Sequence, residues 1–259
     1  MLLEGRVAIV SGIGPGLGQA TAFALAREGA DLVVAARTAE AVKGLAAELV
    51  QHGARAIGVP TDIVRPDDCR RLAAAAHAEF GRIDVLVNNA FQSAPYAAVE
   101  EAQMDDWRRI FDVNVFGSIQ LSQAVIPHMK AQRSGSIVMI NSMSMRVIEP
   151  RFGGYAASKG ALLTAVQTMA RELGADGIRV NSVVPGYIWG PALERWFAYL
   201  AQQQGTTPEG VYAEIASRTA LNRIPDSDDV AAAVLFFASD LSRAVTGQAL
   251  DVNGGHYFH

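Results

Sequence analysis

Short apolar runs alternate along this chain with longer alanine-rich stretches that end near glycine. The apolar runs predict strands at residues 7–11, 32–36, 56–59, 85–88, 136–141, 179–184 and 249–252. Most are apolar at every position, as expected of strands whose two faces are both covered. The stretches between them predict helices, including 17–28, 39–51, 67–80 and 155–173. The alternation therefore predicts an α/β fold, with a doubly wound, mainly parallel, seven-stranded sheet flanked by helices.

The composition fits a single domain over residues 1–259. Half of the residues (50%) are hydrophobic and 19% are charged, and no linker-like stretch divides the chain. The net charge of −4 disfavours nucleic acid or an anionic membrane as partner, since both favour a basic surface. Cys69 is the single cysteine, so an internal disulfide is excluded. Without a signal-like start or an apolar run of membrane-spanning length, we expect a cytoplasmic protein.

A glycine-rich turn lies between the first predicted strand and the first predicted helix, at residues 11–18. The spacing GxGxxG does not fit, whereas GxxxGxG fits Gly12, Gly16 and Gly18. Glycines at such a turn let the backbone approach a pyrophosphate, and the free amides of the helix start favour its charge. The turn therefore predicts a Rossmann-type dinucleotide site, although a merely structural loop remains an alternative.

The end of the second predicted strand bears on the choice of dinucleotide. A carboxylate there would bind the ribose hydroxyls of NAD, but the sequence has Ala36 followed by Arg37. A guanidinium can pair with the 2′-phosphate of NADP. We therefore expect NADP(H) to be the favoured cofactor. The alternative is NAD(H), in which case Arg37 is a solvated residue at the end of the strand.

Tyr155 and Lys159 are the most specific chemical signal in the sequence. Residues four apart share one face of a helix, so the phenol and the ammonium can point into one site. With 6 tyrosines and lysines only at positions 43, 130 and 159, about 0.07 such pairs are expected by chance. An ordinary tyrosine titrates near pH ~10, and a neighbouring cation lowers that pKa towards the range useful for acid/base catalysis.

These motifs together resemble the short-chain dehydrogenase/reductase family, in the group with subunits of about this length. The resemblance runs from the turn at 11–18, through Asn88-Asn89-Ala90-Phe91, to Tyr155-x-x-x-Lys159 and Gly255. It implies that Tyr155 exchanges a proton with the substrate oxygen and that Ser142, with Ser144 as local competitor, hydrogen-bonds the same oxygen. It further implies that Lys159 lowers the pKa of the tyrosine and holds the nicotinamide ribose, while Asn114 anchors a water chain to that lysine.

The resemblance also implies a set of cofactor-binding residues: Gly12, Gly14, Gly16, Leu17, Gly18, Arg37, Asp62, Ile63, Asn89, Ala90, Tyr155, Lys159, Pro185, Gly186 and Ile188. Three positions depart from the family's pattern, and the first, Ser11, replaces a threonine but keeps the hydroxyl. Phe91 replaces a glycine and places a large ring near the cofactor groove, and Gly190 replaces a threonine hydroxyl. Neither change removes a residue of proton transfer.

Aromatic residues and methionine dominate the regions where the family binds substrate, including a covering segment at 189–223. We expect Phe91, Met143, Phe152, Trp189 and Trp196 to contact the substrate. Such side chains form an adaptable apolar wall that suits a bulky or cyclic compound. Burial of the segment's aromatic residues against the domain or a neighbouring subunit is the alternative.

The sequence thus predicts an NAD(P)(H)-dependent oxidoreductase that interconverts a secondary alcohol and a ketone on a small-molecule substrate. Two alternatives stay open: a non-catalytic dinucleotide-binding regulatory protein, and a reductase of a polar sugar or an acyl thioester. The 5 histidines lack metal-ligand spacing, so no metal is expected. The resemblance implies a homo-oligomer, either a tetramer or a dimer.

Overall fold

A computed structural model describes residues 1–93 and 95–258, and shows a 7-stranded sheet with the order β3-β2-β1-β4-β5-β6-β7. All of its strand pairs are parallel. The predicted α/β class, doubly wound sheet and strand number are therefore confirmed. The strands are β1 (Val7–Ser11), β2 (Asp31–Ala36), β3 (Ala56–Pro60), β4 (Val85–Asn88), β5 (Gly135–Ile140), β6 (Ile178–Pro185) and β7 (Ala249–Val252).

Helices connect the strands and cover both faces of the sheet. In chain order they are α1 (Leu17–Arg27), α2 (Ala39–Gln51), α3 (Pro66–Phe80), α4 (Met104–Phe111), α5 (Ser118–Gln132), α6 (Gly153–Leu173), α7 (Pro191–Gln204), α8 (Pro208–Ser217) and α9 (Ser227–Ala238). A π-helical segment, Asp112–Gly117, joins α4 to α5, and a short 3₁₀ turn, Met143–Met145, follows β5. The predicted range 1–259 includes residues 94 and 259, which lie outside the described residues.

Consecutive strand residues are buried in two different cores, which explains why the strands are apolar throughout. Val7 and Ile9 of β1 belong to a core that includes residues of α3, α5 and α6. Ala8 and Val10 belong to a second core, which includes residues of α1, α2 and α9. Each side of the sheet therefore excludes water, as the doubly wound arrangement requires.

Where element boundaries differ from the predicted ones, they do so by one or two residues and for local reasons. Helix α1 ends at Arg27 rather than at 28, just before Gly29, whose φ of +88° an L side chain rarely adopts. Helix α6 begins at Gly153, two residues before Tyr155. A Cβ atom at Gly154 would lie 3.1 Å from the Trp107 indole, so a glycine permits this first turn to pack against α4.

The order of the strands places a crevice beside the centre of the sheet. β1 lies between β2 and β4, so the chain runs outward in one direction from β1 to β3 and in the other from β4 to β7. Loops that leave neighbouring strands in opposite directions leave a crevice at the carboxyl ends of those strands. Residues after β1, β2, β4, β5 and β6 meet there.

Candidate active site

A cavity of about 440 Å³ occupies this crevice. Most of the residues that the sequence predicts for the site line it: Gly12, Gly14, Leu17, Gly18, Arg37, Asp62, Ile63, Asn89, Ala90, Phe91, Ser142, Tyr155, Lys159, Pro185, Gly186 and Ile188. They come from separate parts of the sequence and are brought together by the parallel sheet. Gly16, Asn114, Met143, Phe152, Trp189 and Trp196 lie outside this lining.

The glycine turn is closely packed at two positions and open at a third. A Cβ atom at Gly18 would lie 2.2 Å from the Gly12 carbonyl oxygen, and one at Gly12 would lie 2.3 Å from the Ala90 nitrogen. The Asn89 side-chain amide also donates a hydrogen bond to the Gly12 carbonyl. A Cβ atom at Gly14, by contrast, would meet nothing within 4 Å. The turn is thus held from behind while its Gly14 part faces open space.

Gly16 has a conformational place in the turn rather than a place on the cavity wall. It precedes α1 with φ of +103°, a value that L side chains rarely adopt. A Cβ atom there would point towards Ser227 Oγ of α9, at 3.5 Å. The residue lets the chain turn from the loop into the helix, whose first amides face the crevice.

The cavity's far end, beyond β2, carries a guanidinium and no carboxylate from that strand. Ala36 and Arg37 both line it. Arg37 is exposed, and within the described residues it makes no hydrogen bond or ion pair. Asp62, across from it, accepts a hydrogen bond from the Val64 amide at 3.2 Å. This donor set fits a dinucleotide: backbone amides at the glycine turn for a pyrophosphate and a free cation for a further phosphate.

Helix α6 places Lys159 one turn after Tyr155, in the floor of the cavity. Lys159 is only 2% exposed, and its Nζ atom donates a hydrogen bond to the Ile140 carbonyl oxygen at 2.8 Å. The same Nζ atom lies 5.5 Å from the centroid of the Tyr155 ring. Burial disfavours the charged ammonium and lowers the pKa of Lys159 to about 7.

The pKa of Tyr155 is raised, whereas a catalytic acid/base was expected to have a lowered one. Burial raises it to about 12, and a hydrogen bond with Ser142 acts to lower it. The expected lowering by Lys159 is thus not seen in the polypeptide alone. The physical reason is that burial disfavours both the phenolate and the ammonium, so each group favours its neutral form.

Ser142 lies closer to this chemistry than its competitor Ser144. The Ser142 side chain lines the cavity and acts to lower the pKa of Tyr155, whereas Ser144 is not part of the lining. Ser144 instead donates from its hydroxyl to Ser142 Oγ at 3.0 Å and from its backbone amide at 3.2 Å. Ser144 therefore orients the Ser142 hydroxyl.

The π-helical segment directs Asn114 behind the cavity rather than into it. Its Nδ2 atom donates to Ser158 Oγ at 3.0 Å and to the Gln92 carbonyl at 3.1 Å, and its Oδ1 atom accepts from the Gln92 amide at 2.7 Å. Ser158 directly precedes Lys159. Asn114 therefore ties the loop after β4 to helix α6, next to the lysine.

A row of aromatic rings extends from Tyr155. Phe152 stacks on Tyr155 with centroids 4.8 Å apart, and Tyr96 stacks on Phe152 at the same distance. Phe91 meets Tyr155 edge-on at 6.5 Å and is 61% exposed. Met143 is buried beside Gly186.

The two tryptophans predicted to contact substrate lie in a separate apolar cluster between α7 and α8. Trp189 contacts Phe197 and Tyr212, and Trp196 contacts Phe197 and Tyr187. Phe197 is fully buried there. The segment 189–223 thus has a small core of its own. Trp196 stacks on Tyr187, which directly follows the cavity-lining Gly186.

Sequence reasoning did not include several residues that also line the cavity: Ile13, Pro15, Ala35, Ala36, Thr61, Gln92, Val113, Ile140 and Asn141. All of them lie at or after the end of a strand, or in the π-helical segment. Their position at a strand end is the sequence feature that could have indicated a place in the cavity lining. Ile140 acts through its backbone carbonyl, which no residue type reveals.

No cluster of three or more potential metal ligands occurs among residues 1–93 and 95–258. Within the same residues, no helix has the length and apolar character needed to cross a membrane.

Comparison with known proteins identifies the family. A family model described as enoyl-(acyl carrier protein) reductase matches residues 12–257. The chain belongs to the short-chain dehydrogenase/reductase family. It is accordingly an oxidoreductase that uses a nicotinamide dinucleotide and acts on a small molecule.

Named relatives in this family are similar over almost the whole chain. The chain is 35% identical to cis-4-hydroxycyclohexanecarboxylate dehydrogenase of Sinomonas cyclohexanicum, over 97% of this chain and 96% of that one. It is 35% identical to 7alpha-hydroxysteroid dehydrogenase of Escherichia coli (strain K12), over 98% and 94%. The solved structure of NAD⁺-bound xylitol dehydrogenase superposes with a TM-score of 0.91 at 30% identity, covering 98% of this chain and 100% of that one.

Proposed function

We propose that this protein interconverts a secondary alcohol and a ketone with NADP(H) as the favoured cofactor, on a bulky apolar or cyclic substrate. The observation that carries the proposal is the meeting of three groups at one end of the cavity. Ser142, Tyr155 and Lys159 line the same cavity, Ser142 acts to lower the pKa of Tyr155, and the Lys159 Nζ atom lies 5.5 Å from the centroid of the tyrosine ring. A purely dinucleotide-binding protein has no need for this set.

The chain's residues would hold the cofactor along the cavity. The turn of Gly12, Gly14, Gly16, Leu17 and Gly18 would bind the pyrophosphate through backbone amides, and Arg37 the 2′-phosphate. The remaining contacts would come from Asp62, Ile63, Asn89, Ala90, Tyr155, Lys159, Pro185, Gly186 and Ile188. When bound, the nicotinamide would accept a hydride from the carbinol carbon or donate one to the ketone.

Tyr155 would move the proton. In reduction its hydroxyl would donate a proton to the developing alkoxide. In oxidation its phenolate, formed when the hydroxyl proton passes to neutral Lys159, would accept the alcohol's proton. Ser142 would hydrogen-bond the same substrate oxygen, which Ser144 helps by orienting the Ser142 hydroxyl. Lys159, with a pKa of about 7, would return a proton to Tyr155 and hold the ribose hydroxyls. Asn114 would support a water path to Lys159 from its position beside Ser158.

The substrate would lie against Phe91, Phe152 and Met143, with Trp189 and Trp196 in the covering segment at 189–223. Rings at Phe91, Phe152 and Tyr96 favour an apolar or cyclic compound. Two of the named relatives act on a cyclohexane and a steroid alcohol, while the xylitol enzyme acts on a polar one. Because aromatic rings surround Tyr155, we propose a cyclic or apolar substrate rather than a polar one.

We further propose that residues 1–259 form a single domain that assembles as a homo-oligomer in the cytoplasm. The acidic net charge, the lone buried Cys69 and the continuous sheet support this reading. Light scattering coupled to size exclusion measures the assembly directly, and a monomer would contradict it.

A panel of cyclic, aromatic and aliphatic secondary alcohols and ketones, followed at the nicotinamide absorbance, tests the function. We expect turnover with at least one ring-bearing pair and higher kcat/KM than for a sugar or an acyl thioester. Turnover confined to the polar compounds would contradict the proposed substrate class. Absence of turnover with every compound would contradict the proposed reaction.

A further inference from the structure

A carboxylate lies at the far end of the aromatic stack that starts at Tyr155. Tyr187 donates a hydrogen bond from its hydroxyl to Glu149 Oε1 at 3.2 Å. Burial, and then the Glu149 carboxylate, raises the pKa of both Tyr96 and Tyr187. The carboxylate is therefore close to two phenols, one of which is the last ring of the stack Tyr155–Phe152–Tyr96.

The backbone places Glu149 in the turn that precedes helix α6 and Tyr155. Its carbonyl oxygen accepts a hydrogen bond from the Phe152 amide at 3.3 Å, in the turn that leads into helix α6. Tyr187 directly follows Gly186, which lines the cavity, and its ring stacks on Trp196 at 6.0 Å. Glu149 thus bridges the loop after β5 and the loop after β6, away from the glycine turn.

The neighbouring cationic side chains have carboxylates of their own. Arg146 pairs with Asp251 at 3.4 Å, and both side chains are largely buried. Arg151 pairs with Glu101 at 3.9 Å. Hence neither of the two arginines that flank Glu149 in sequence is directed to it.

Two further titratable groups face the cluster from the C-terminal half of the chain. Arg218 forms an ion pair with Glu214. The His256 ring lies 6.0 Å from that of Tyr187, and its pKa is lowered by burial and by Arg218, against an opposing effect of Glu149. Glu149 therefore stands out because its hydrogen-bond partner is a neutral hydroxyl, which leaves its charge uncompensated by that contact.

We propose that Glu149 is a specificity-determining residue that favours ketones and alcohols with a cationic or hydrogen-bond-donating group remote from the carbinol, and disfavours anionic ones. The inference rests on the proposed function, since it concerns the substrate of that site. A carboxylate in a half-buried position attracts a cation and repels an anion several ångströms away, which corresponds to about tenfold in relative affinity.

Three cyclohexanones of similar size test it: 4-(dimethylamino)cyclohexanone, 4-isopropylcyclohexanone and 4-oxocyclohexanecarboxylate. We expect the wild-type enzyme to favour the cationic over the anionic ketone by at least about tenfold in kcat/KM. Glu149→Gln retains an oxygen that can accept from Tyr187 but loses the charge, so it should lower this preference about tenfold and leave the neutral ketone within twofold. Tyr187→Phe keeps the carboxylate and the ring stacked on Trp196, and should keep the preference.

Quenching of tryptophan fluorescence gives a binding readout that does not need turnover, because Trp196 stacks on Tyr187. The role of Glu149 would be overturned if Glu149→Gln kept the preference for the cationic over the anionic ketone, or if Glu149→Gln and Tyr187→Phe lost it equally. In either case, turnover of the neutral ketone would still uphold the proposed function. Charge-dependent binding without turnover of any ketone would overturn the proposed function and uphold Glu149. Neither binding nor turnover would overturn both.

Discussion

Replacing Lys159 by methionine should change how the stability of the cofactor-free protein depends on pH. The ammonium is 2% exposed, and burial lowers its pKa from 10.5 to about 7. At about 1.4 kcal/mol per pKa unit, the charged form therefore costs about 5 kcal/mol in the folded state. The unfolded chain binds the proton more tightly, so this cost is complete below pH 7 and is relieved as the pH rises from 7 to 10.5.

The variant does not have this cost, but it leaves the Ile140 carbonyl without its hydrogen-bond donor. That loss destabilises the variant by about 1–3 kcal/mol at every pH. The change with pH is therefore the cleaner quantity. The stability of Lys159→Met relative to wild type should fall by about 3 kcal/mol between pH ~6 and ~9.5, a range that ends below the titration of Tyr155. Urea unfolding at fixed protein concentration measures it.

Lys43→Met, at an exposed position on α2, is the matched control. Its stability relative to wild type should change by less than about 0.5 kcal/mol over the same range. A Lys159→Met difference that stays constant within about 1 kcal/mol would refute the reasoning, because it would mean that the folded protein does not disfavour the ammonium.

Three further predictions concern the cofactor and the substrate oxygen. Arg37→Ala should weaken NADPH binding about 10- to 100-fold and leave NADH binding within about twofold; unchanged NADPH affinity would count against the NADP(H) preference. Gly18→Ala should lower the free energy of unfolding by several kcal/mol, because its Cβ atom would lie 2.2 Å from the Gly12 carbonyl oxygen. Gly14→Ala, where the Cβ atom would meet nothing within 4 Å, should stay within about 1 kcal/mol of wild type. Equal effects of the two substitutions in urea unfolding would contradict the packing described. Ser142→Ala should reduce kcat/KM about 100-fold and Ser144→Ala less than about tenfold, and the reverse order would exchange their roles.

The sheet could be predicted from the sequence because its central strands are buried on both faces and are therefore apolar at most positions. The predicted strands 7–11, 85–88 and 249–252 have the same bounds as β1, β4 and β7, and the other four differ by one residue at one or both ends. Such ends depend on single backbone hydrogen bonds. Asn141, for example, still donates to the Val183 carbonyl at 2.8 Å although β5 ends at Ile140.

Contacts between distant segments could not be predicted in the same way. The residues after successive parallel strands were expected to meet, and they do line one cavity. The bond between Glu149 and Tyr187, however, depends on how two loops fold against each other, and no short-range pattern encodes it. The raised pKa of Tyr155 could not be predicted for a related reason, since its main cause is burial, which is a property of the folded chain.

Tyr155→Phe is the most direct test of the central claim, that this hydroxyl transfers the proton between protein and substrate. The variant removes one oxygen and keeps the ring that stacks on Phe152. With any secondary alcohol or ketone that the wild type converts, kcat should fall about 1,000-fold or more, while NADPH binding measured by fluorescence stays within about fivefold. Turnover that persists undiminished in Tyr155→Phe would contradict the account.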